Sequence, residues 1–151
     1  MIIGSISEDK NIEKRVSITP EIAKKYINLG FNIHLSENYA EHLGFERSLY
    51  EDQGVKILND KKKIIETSDI ILQMGLLNDE NLSLLKQNQI YIGVLNASSN
   101  KEKLSLLIKK NVNFFSLDLL PRITRAQSMD ILSSQANLAG YKAVVESFSI
   151  F

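Results

Sequence analysis

The sequence predicts an α/β fold: an open parallel sheet flanked by helices, running at its end into one long helical segment. Three observations lead there. Short apolar runs bounded by polar residues or glycine alternate with segments of helical period. The run Asp69-Ile-Ile-Leu-Gln-Met-Gly75 is almost continuously apolar, as a strand covered on both faces must be. From about Thr124 the alternation stops, and the stretch from Ala126 to Phe151 carries no turn signal except Gly140.

The elements follow in order. Ile2 to Ile6 is a short β-rich run. Thr19-Pro20-Glu21 is a helix start, with threonine as N-cap, proline at the first helical position and an acid in the first turn. Ile22, Ala23, Tyr26, Ile27 and Leu29 recur at helical spacing until Gly30 ends the helix. Phe31 to Leu35 reads as a second strand, Asn38 to Arg47 as a loop and Val55 to Leu58 as a third strand, followed by a helix around Lys61 to Glu66. After the apolar strand at 69–75, Asn78-Asp79-Glu80 opens a helix and Gln89 to Leu95 forms the next strand. Ser99 and Glu102 have the spacing of a capping box ahead of Leu104, Leu107 and Ile108, and Val112 to Leu117 is the last strand. Residues 126–151 then read as one long helix or two abutting ones. Met129, Leu132, Ala136, Ala139 and Ala143 form a stripe at helical spacing, suited to close packing. The apolar end Phe148-Ser-Ile-Phe151 leads to the expectation that the polypeptide continues.

Composition narrows the function classes. The 18 basic and 18 acidic side chains cancel, which argues against a nucleic-acid partner. With no cysteine there is no disulfide, thiolate metal site or cysteine nucleophile, and two histidines, His34 and His42, are too few for a histidine metal site. His34 is expected within its strand and His42 in solvent. No basic residue precedes the first apolar run, and no apolar run nears the roughly 20 residues of a membrane helix, so a cytoplasmic protein is expected.

Three places bear on chemistry. Glu13-Lys14-Arg15-Val16-Ser17-Ile18-Thr19-Pro20 is either a charged loop entering a capped helix or a segment that brings Arg15 over the cleft at the strand carboxyl ends, where open α/β sheets bind ligands. The segment from Pro121 to Ser134 is either a helix start, with Thr124 and Gln127 as a capping box, or a ligand cluster. In the second reading Arg122 and Arg125 offer cations to a pyrophosphate, Gln127 an amide, Asp130 an acid for ribose hydroxyls, and Ser133 and Ser134 further hydroxyls. The third place is an absence: no Gly-x-Gly-x-x-Gly and no P-loop follows any strand, so a dinucleotide would be met from across a cleft, its phosphate turn lying in another domain.

These residues match a known pattern. Residues 121–146, Pro-Arg-Ile-Thr-Arg-Ala-Gln-Ser-Met-Asp-Ile-Leu-Ser-Ser-Gln-Ala-Asn-Leu-Ala-Gly-Tyr-Lys-Ala-Val-Val-Glu, resemble the signature of the alpha subunit of proton-translocating NAD(P) transhydrogenases and, more loosely, that of alanine dehydrogenases. Glu13-Lys-Arg-Val-x-x-Thr-Pro20 is similar to both families. The resemblance implies a Rossmann-like or flavodoxin-like N-terminal lobe over 1–125, the start of an interdomain helix over 126–151, and a following NAD-binding Rossmann domain that this chain lacks. It implies NAD(H) bound by the full subunit, with Arg122 near the nicotinamide ribose and pyrophosphate, Gln127 reaching toward NADP(H) on a partner, and Asp130 and Ser133 fixing ribose and carboxamide. The implied partners are a second alpha subunit, an NADP-binding beta subunit and a membrane domain, with the protein peripheral to the inner membrane. No residue of this piece is expected to be catalytic, and the piece alone is expected to be inactive.

Alanine dehydrogenases bind pyruvate through an arginine, a lysine and a histidine. Arg15 matches the first, but Gln73 stands at the lysine position and Val94-Leu95-Asn96 contains no histidine, so the amino-acid dehydrogenase reading falls behind. Gln73 also departs from the lysine usual in transhydrogenases. A third reading is a non-catalytic module that docks through its apolar C-terminal helix.

Overall fold

A computed structural model of the chain describes residues 1–150; the expectation for Phe151 lies outside the described residues. Six strands form one sheet in the order β3-β2-β1-β4-β5-β6, and every pairing is parallel. They are β1 (Ile2–Ser5), β2 (Asn32–Ser36), β3 (Lys56–Leu58), β4 (Ile70–Leu72), β5 (Ile90–Gly93) and β6 (Asn113–Ser116). The helices between them are α1 (Pro20–Asn28), α2 (Arg47–Glu51), α3 (Lys61–Thr67), α4 (Asp79–Ser83) and α5 (Lys101–Lys109), and α6 (Ile131–Ile150) follows the last strand. This is the Rossmann order, not the flavodoxin one, and the direction of strand addition reverses between β1 and β4.

Parallel strands need crossovers, and right-handed crossovers place helices on opposite faces when the strand order reverses. The core accordingly falls into two clusters. Ile3, Ile33 and Leu35 pack with Ala23 of α1 and Tyr50 of α2. Ile71 and Tyr91 pack with Ile64 and Ile65 of α3, Leu82 of α4 and Leu107 of α5. Side-chain alternation along β1 puts Ile3 and Ser5 on one face and Gly4 on the other. Gly4 has no room for a side chain: a Cβ there would lie 2.1 Å from Ser68 Oγ and 2.9 Å from Ser68 Cβ, so the end of α3 rests directly on the β1 backbone.

Several elements match the sequence reading in detail. Thr19 caps α1, its Oγ1 accepting from Ile22 N, and Gly30 follows the helix with φ +88°, a backbone conformation that favours glycine. Asn78 caps α4 by accepting from Asn81 N.

Others depart from it. The Ser99–Glu102 capping box does not form. Asn100 precedes α5 instead, and its amide donates back to Leu95 O and Asn96 O, which anchors the loop rather than the helix. A short helix, α2, interrupts what reads as loop and linker because the buried Tyr50 hydroxyl donates to Ile18 O and holds it against the sheet. The Thr124–Gln127 box is absent too. Thr124–Met129 is a 3-10 turn with no side-chain cap, and the chain restarts as α6 after Asp130. Of the two alternatives, one long helix or two abutting ones, the second is nearer, because the Asp130 carboxylate accepts from Leu132 N and Ser133 N and is the N-cap of α6.

No residue of α6 is buried. Leu132, Leu138, Tyr141, Val144, Val145, Phe148 and Ile150 are all exposed, Phe148 to 80%, and Met129, Leu132, Ala136, Ala139 and Ala143 of the stripe are exposed too. The helix packs against the sheet domain chiefly at the Leu117–Leu119 turn. His34 is half-buried, and burial followed by the charge of Lys56 lowers its pKa. His42 is exposed as expected, with Nε2 2.6 Å from Lys14 O.

Candidate functional site

The carboxyl ends of β1, β4 and β5 open into a cleft of about 640 Å³, at the point where the strand order reverses. Ligands bind at this place in open α/β sheets because the chain diverges on either side and leaves a crevice. A glycine-rich turn after β1 would expose amides to a phosphate. This chain instead has Ile6-Ser-Glu-Asp, and it directs the Glu8 side chain into the crevice. Glu8 Oε1 accepts from Met74 N at 2.7 Å, Gly75 N at 3.3 Å and Gln73 Nε2 at 3.2 Å. Burial raises the Glu8 pKa, the two backbone donors oppose that rise, and the nearby Glu13 adds to it.

Gln73 joins β4 to the end of β1. It is 2% exposed, and its four hydrogen-bonding positions are all used. Oε1 accepts from Ser5 Oγ at 2.7 Å and Ile6 N at 2.8 Å, while Nε2 donates to Ile6 O at 3.1 Å and to Glu8. The chain of bonds continues outward. Tyr39 OH donates to Ser5 Oγ and accepts from Ile18 N, and burial first of all pushes the Tyr39 pKa up to about 12. Gly93 permits the close approach of β5: a Cβ there would lie 2.7 Å from Gln73 O.

Arg15 lines the cleft, as the sequence reading expects. Its guanidinium is oriented by Glu13: Nε donates to Oε1 at 2.9 Å and Nη2 to Oε2 at 2.7 Å. That side-chain hydrogen bond is the main reason the Glu13 pKa is lowered.

The second cluster lies elsewhere. Arg122, Arg125, Gln127, Ser133 and Ser134 are exposed, Asp130 is half-buried, and none of the six lines the cleft. Buried Ala126 pins the 3-10 turn that carries Arg125 and Gln127. Asp130 Oδ2 accepts from Ser133 Oγ at 2.6 Å, the largest cause of its lowered pKa, to which backbone donors and the charge of Arg122 add. Ser134 Oγ donates to Ile131 O. The structure thus joins Asp130 to Ser133, leaves Arg122 unbonded to either, and leaves Arg15 in a separate cleft. Among the described residues neither Arg122 nor Arg125 forms an ion pair.

The family described as alanine dehydrogenase/PNT, N-terminal domain, matches residues 4–139. The chain belongs to this family. Over 97% of its length it is 38% identical to the first part of NAD(P) transhydrogenase subunit alpha of Rickettsia prowazekii, a protein of which it covers 39%. It is 33% identical to NAD(P) transhydrogenase subunit alpha of Haemophilus influenzae, covering 97% of this chain and 28% of that one. Its structure superimposes on the crystal structure of transhydrogenase from Sinorhizobium meliloti with a TM-score of 0.88 at 32% identity, covering 97% of this chain and 43% of that one. The chain therefore spans under half the length of these relatives.

Within this member of the alanine dehydrogenase/PNT family, sequence reasoning missed Glu8, reads Gln73 only as a missing lysine, and places Tyr91 in the core, where it lies, without the bonds of its hydroxyl. The available signals were an acid placed directly after β1 and a glutamine inside an otherwise apolar run. Tyr91 is fully buried; its hydroxyl donates to Gly75 O at 2.6 Å and accepts from Leu77 N at 3.1 Å, fixing the cleft wall. Tyr91→Phe strands both backbone groups, so urea denaturation should show a loss of about 1–2 kcal/mol. Unchanged stability would mean that the wall relaxes or that water replaces the hydroxyl.

Proposed function

We propose that the chain is part of the NAD(H)-binding alpha subunit of a proton-translocating NAD(P) transhydrogenase, in which hydride passes between NAD(H) and NADP(H). The observation that carries this reading is the match, over 97% of the chain, to a relative named as the first part of an NAD(P) transhydrogenase subunit alpha. NADP(H) is placed on a beta subunit, with a membrane domain and a second alpha subunit completing the assembly and this chain peripheral to the inner membrane. No helix among the described residues is long and apolar enough to cross a membrane, which fits a peripheral position. An amino-acid dehydrogenase fits less well, because the Gln73 amide is committed on all sides to the sheet and Asn96 stands where a proton-donating histidine is wanted.

NAD(H), when bound, supplies the hydride, so the protein's part is to bind, orient and exclude water. The residues present fit half of a dinucleotide site. Arg122 neutralises pyrophosphate charge from the surface beside Asp130. The Asp130 carboxylate, held ionised by Ser133 and the α6 amides, accepts from ribose hydroxyls. Ser133 donates its hydroxyl proton to Asp130, so its oxygen would be left to accept from the carboxamide N–H. Gln127 projects from the exposed 3-10 turn toward the NADP-bearing partner, and Arg125 and Ser134 flank the clamp. With no glycine fingerprint here, the phosphate turn belongs to the part of the relatives that this chain does not span. Residues 1–125 are the lobe, and α6 begins the helix between domains.

The test is NADH binding, followed by calorimetry, to a chain extended to the full length of its relatives. Arg122→Ala should weaken binding tenfold or more, about 1.4 kcal/mol. Asp130→Asn keeps an N-cap while removing the charge and should weaken binding similarly. Unchanged binding in both variants would reduce the cluster to a helix cap and sink the clamp. Steady hydride transfer by the 151-residue chain alone would contradict the division of labour proposed here.

A further inference from the structure

One face of the sheet is covered over only part of its width. Ile70 and Leu72 of β4 pack against the cluster under α1 and α2, and the strand register carries that same face across to Ile90 and Ile92 of β5 and Phe115 of β6. On this side α1 packs chiefly on β2 and α2 on β3. The helices α3, α4 and α5 lie on the opposite face, with Ile71, Tyr91 and Phe114. Ile90 and Ile92 are therefore only partly buried, and Phe115 is 57% exposed. Strands that are apolar on both faces need a layer on each. The last helix has the converse defect. Leu138, Tyr141, Val145 and Phe148, spaced three, four and three residues apart, make a stripe of large exposed side chains along α6, while Lys142 and Glu146 pair on another side. Its own sheet is out of reach, because buried Ala126 pins the turn before it, Asp130 caps its first residues, and 20 residues make a rod of about 30 Å.

We propose that the open face of β4, β5 and β6 receives the α6 stripe of a second copy of this chain, the two copies exchanging helices about a two-fold axis. One chain carries both halves of the missing contact, so a reciprocal exchange satisfies each copy and closes at two. The 18 basic and 18 acidic side chains leave no net charge to hold the copies apart. Two helices docked reciprocally bury on the order of 1,600 Å², the standard size of a stable interface. The exchange uses no residue of the clamp at 122–134 and does not rest on the NAD(H) reading.

The test is the mass of the 151-residue chain by light scattering during size exclusion, expected at twice 17.1 kDa. Phe115→Glu and Val145→Glu, both at exposed positions, should each raise the dimer Kd at least tenfold. Leu106→Glu, on α5 across the sheet and 60% exposed, should leave it unchanged. Because the chain has no cysteine, Phe115→Cys and Val145→Cys chains can be mixed and joined by a short bismaleimide. Cross-linking of one kind of chain to the other is the expected result, and it needs no charged variant to fold. A monomeric wild type would leave the face to a different chain and overturn the proposal. So would a dimer that both glutamate variants preserve, or a dimer without the mixed cross-link. A chain carrying both cysteines that cross-links only to itself would assign the face to its own helix and overturn the proposal equally.

Discussion

Gln73→Ala should lower the unfolding free energy by about 3 kcal/mol, read as a fall in Tm of about 6–12 °C. The side chain joins Ser5 Oγ, Ile6 N, Ile6 O and Glu8 Oε1 at the junction of β1 and β4, the two central strands. Truncation leaves Ile6 N and Ile6 O without their partner beside a cavity, while Ser5 Oγ keeps Tyr39 and Glu8 keeps the Met74 and Gly75 amides; each buried polar group that loses its partner costs about 1–3 kcal/mol. The sum is discounted here because water from the cleft can reach some of them. Gln73→Glu separates shape from charge. It keeps the volume but sets a second carboxylate about where Nε2 now lies, 3.2 Å from Glu8 Oε1. Two carboxylates so close raise one folded-state pKa above its unfolded value, so the folded state binds the extra proton more tightly. The penalty should therefore be largest at neutral pH and shrink as pH falls, the opposite of a carboxylate held in an ion pair. A Gln73→Ala protein as stable as the wild type would show that the four bonds contribute nothing net.

Gly4→Ala should cost about 2–3 kcal/mol, although alanine is intrinsically no worse in a strand. The new Cβ would stand 2.1 Å from Ser68 Oγ, 2.9 Å from Ser68 Cβ and 3.0 Å from Ile64 Cγ2. Rotating the serine removes only the first contact, because the second is to an atom fixed by the backbone, so α3 must lift from β1. Ser68 Oγ also donates to Ile64 O, which ties its rotamer to the last turn of α3. Ser68→Gly should restore part of the loss in the Gly4→Ala background while itself destabilising the wild type. A coupling of about 1 kcal/mol or more in urea melts is expected. Simple additivity would place the strain elsewhere.

The sheet was legible because strand and helix spell themselves out locally: apolar runs at 2–6, 31–35, 69–75 and 89–95 each hold a strand, and Thr19, Gly30 and Asn78 punctuate helices as their chemistry requires. The capping boxes at Ser99 and Thr124 failed for one reason. A box needs only the right residues three apart, while a cap forms where the backbone enters a helix, and tertiary contacts set that point. Asn100 was drawn to the β5 loop carbonyls, and the helix after Thr124 starts only at Asp130, whose carboxylate accepts from Leu132 N and Ser133 N.

The site divides along the same line. Residues close in sequence could be read together, so Asp130 and Ser133 appear as a group both in the sequence and in the structure. Glu8, Gln73 and Tyr91 could not, because their bonds span 14 to 68 residues and exist only once β1, β4 and β5 lie side by side. By itself the sequence determined the strand and helix content, the family and the clamp candidates, all of which rest on local order. Only the tertiary structure decided that the chain's own Glu8 carboxylate lines the crevice and that Gln73 is a structural tie. Hydrogen bonding between distant segments depends on strand order, and strand order is a property of the folded sheet.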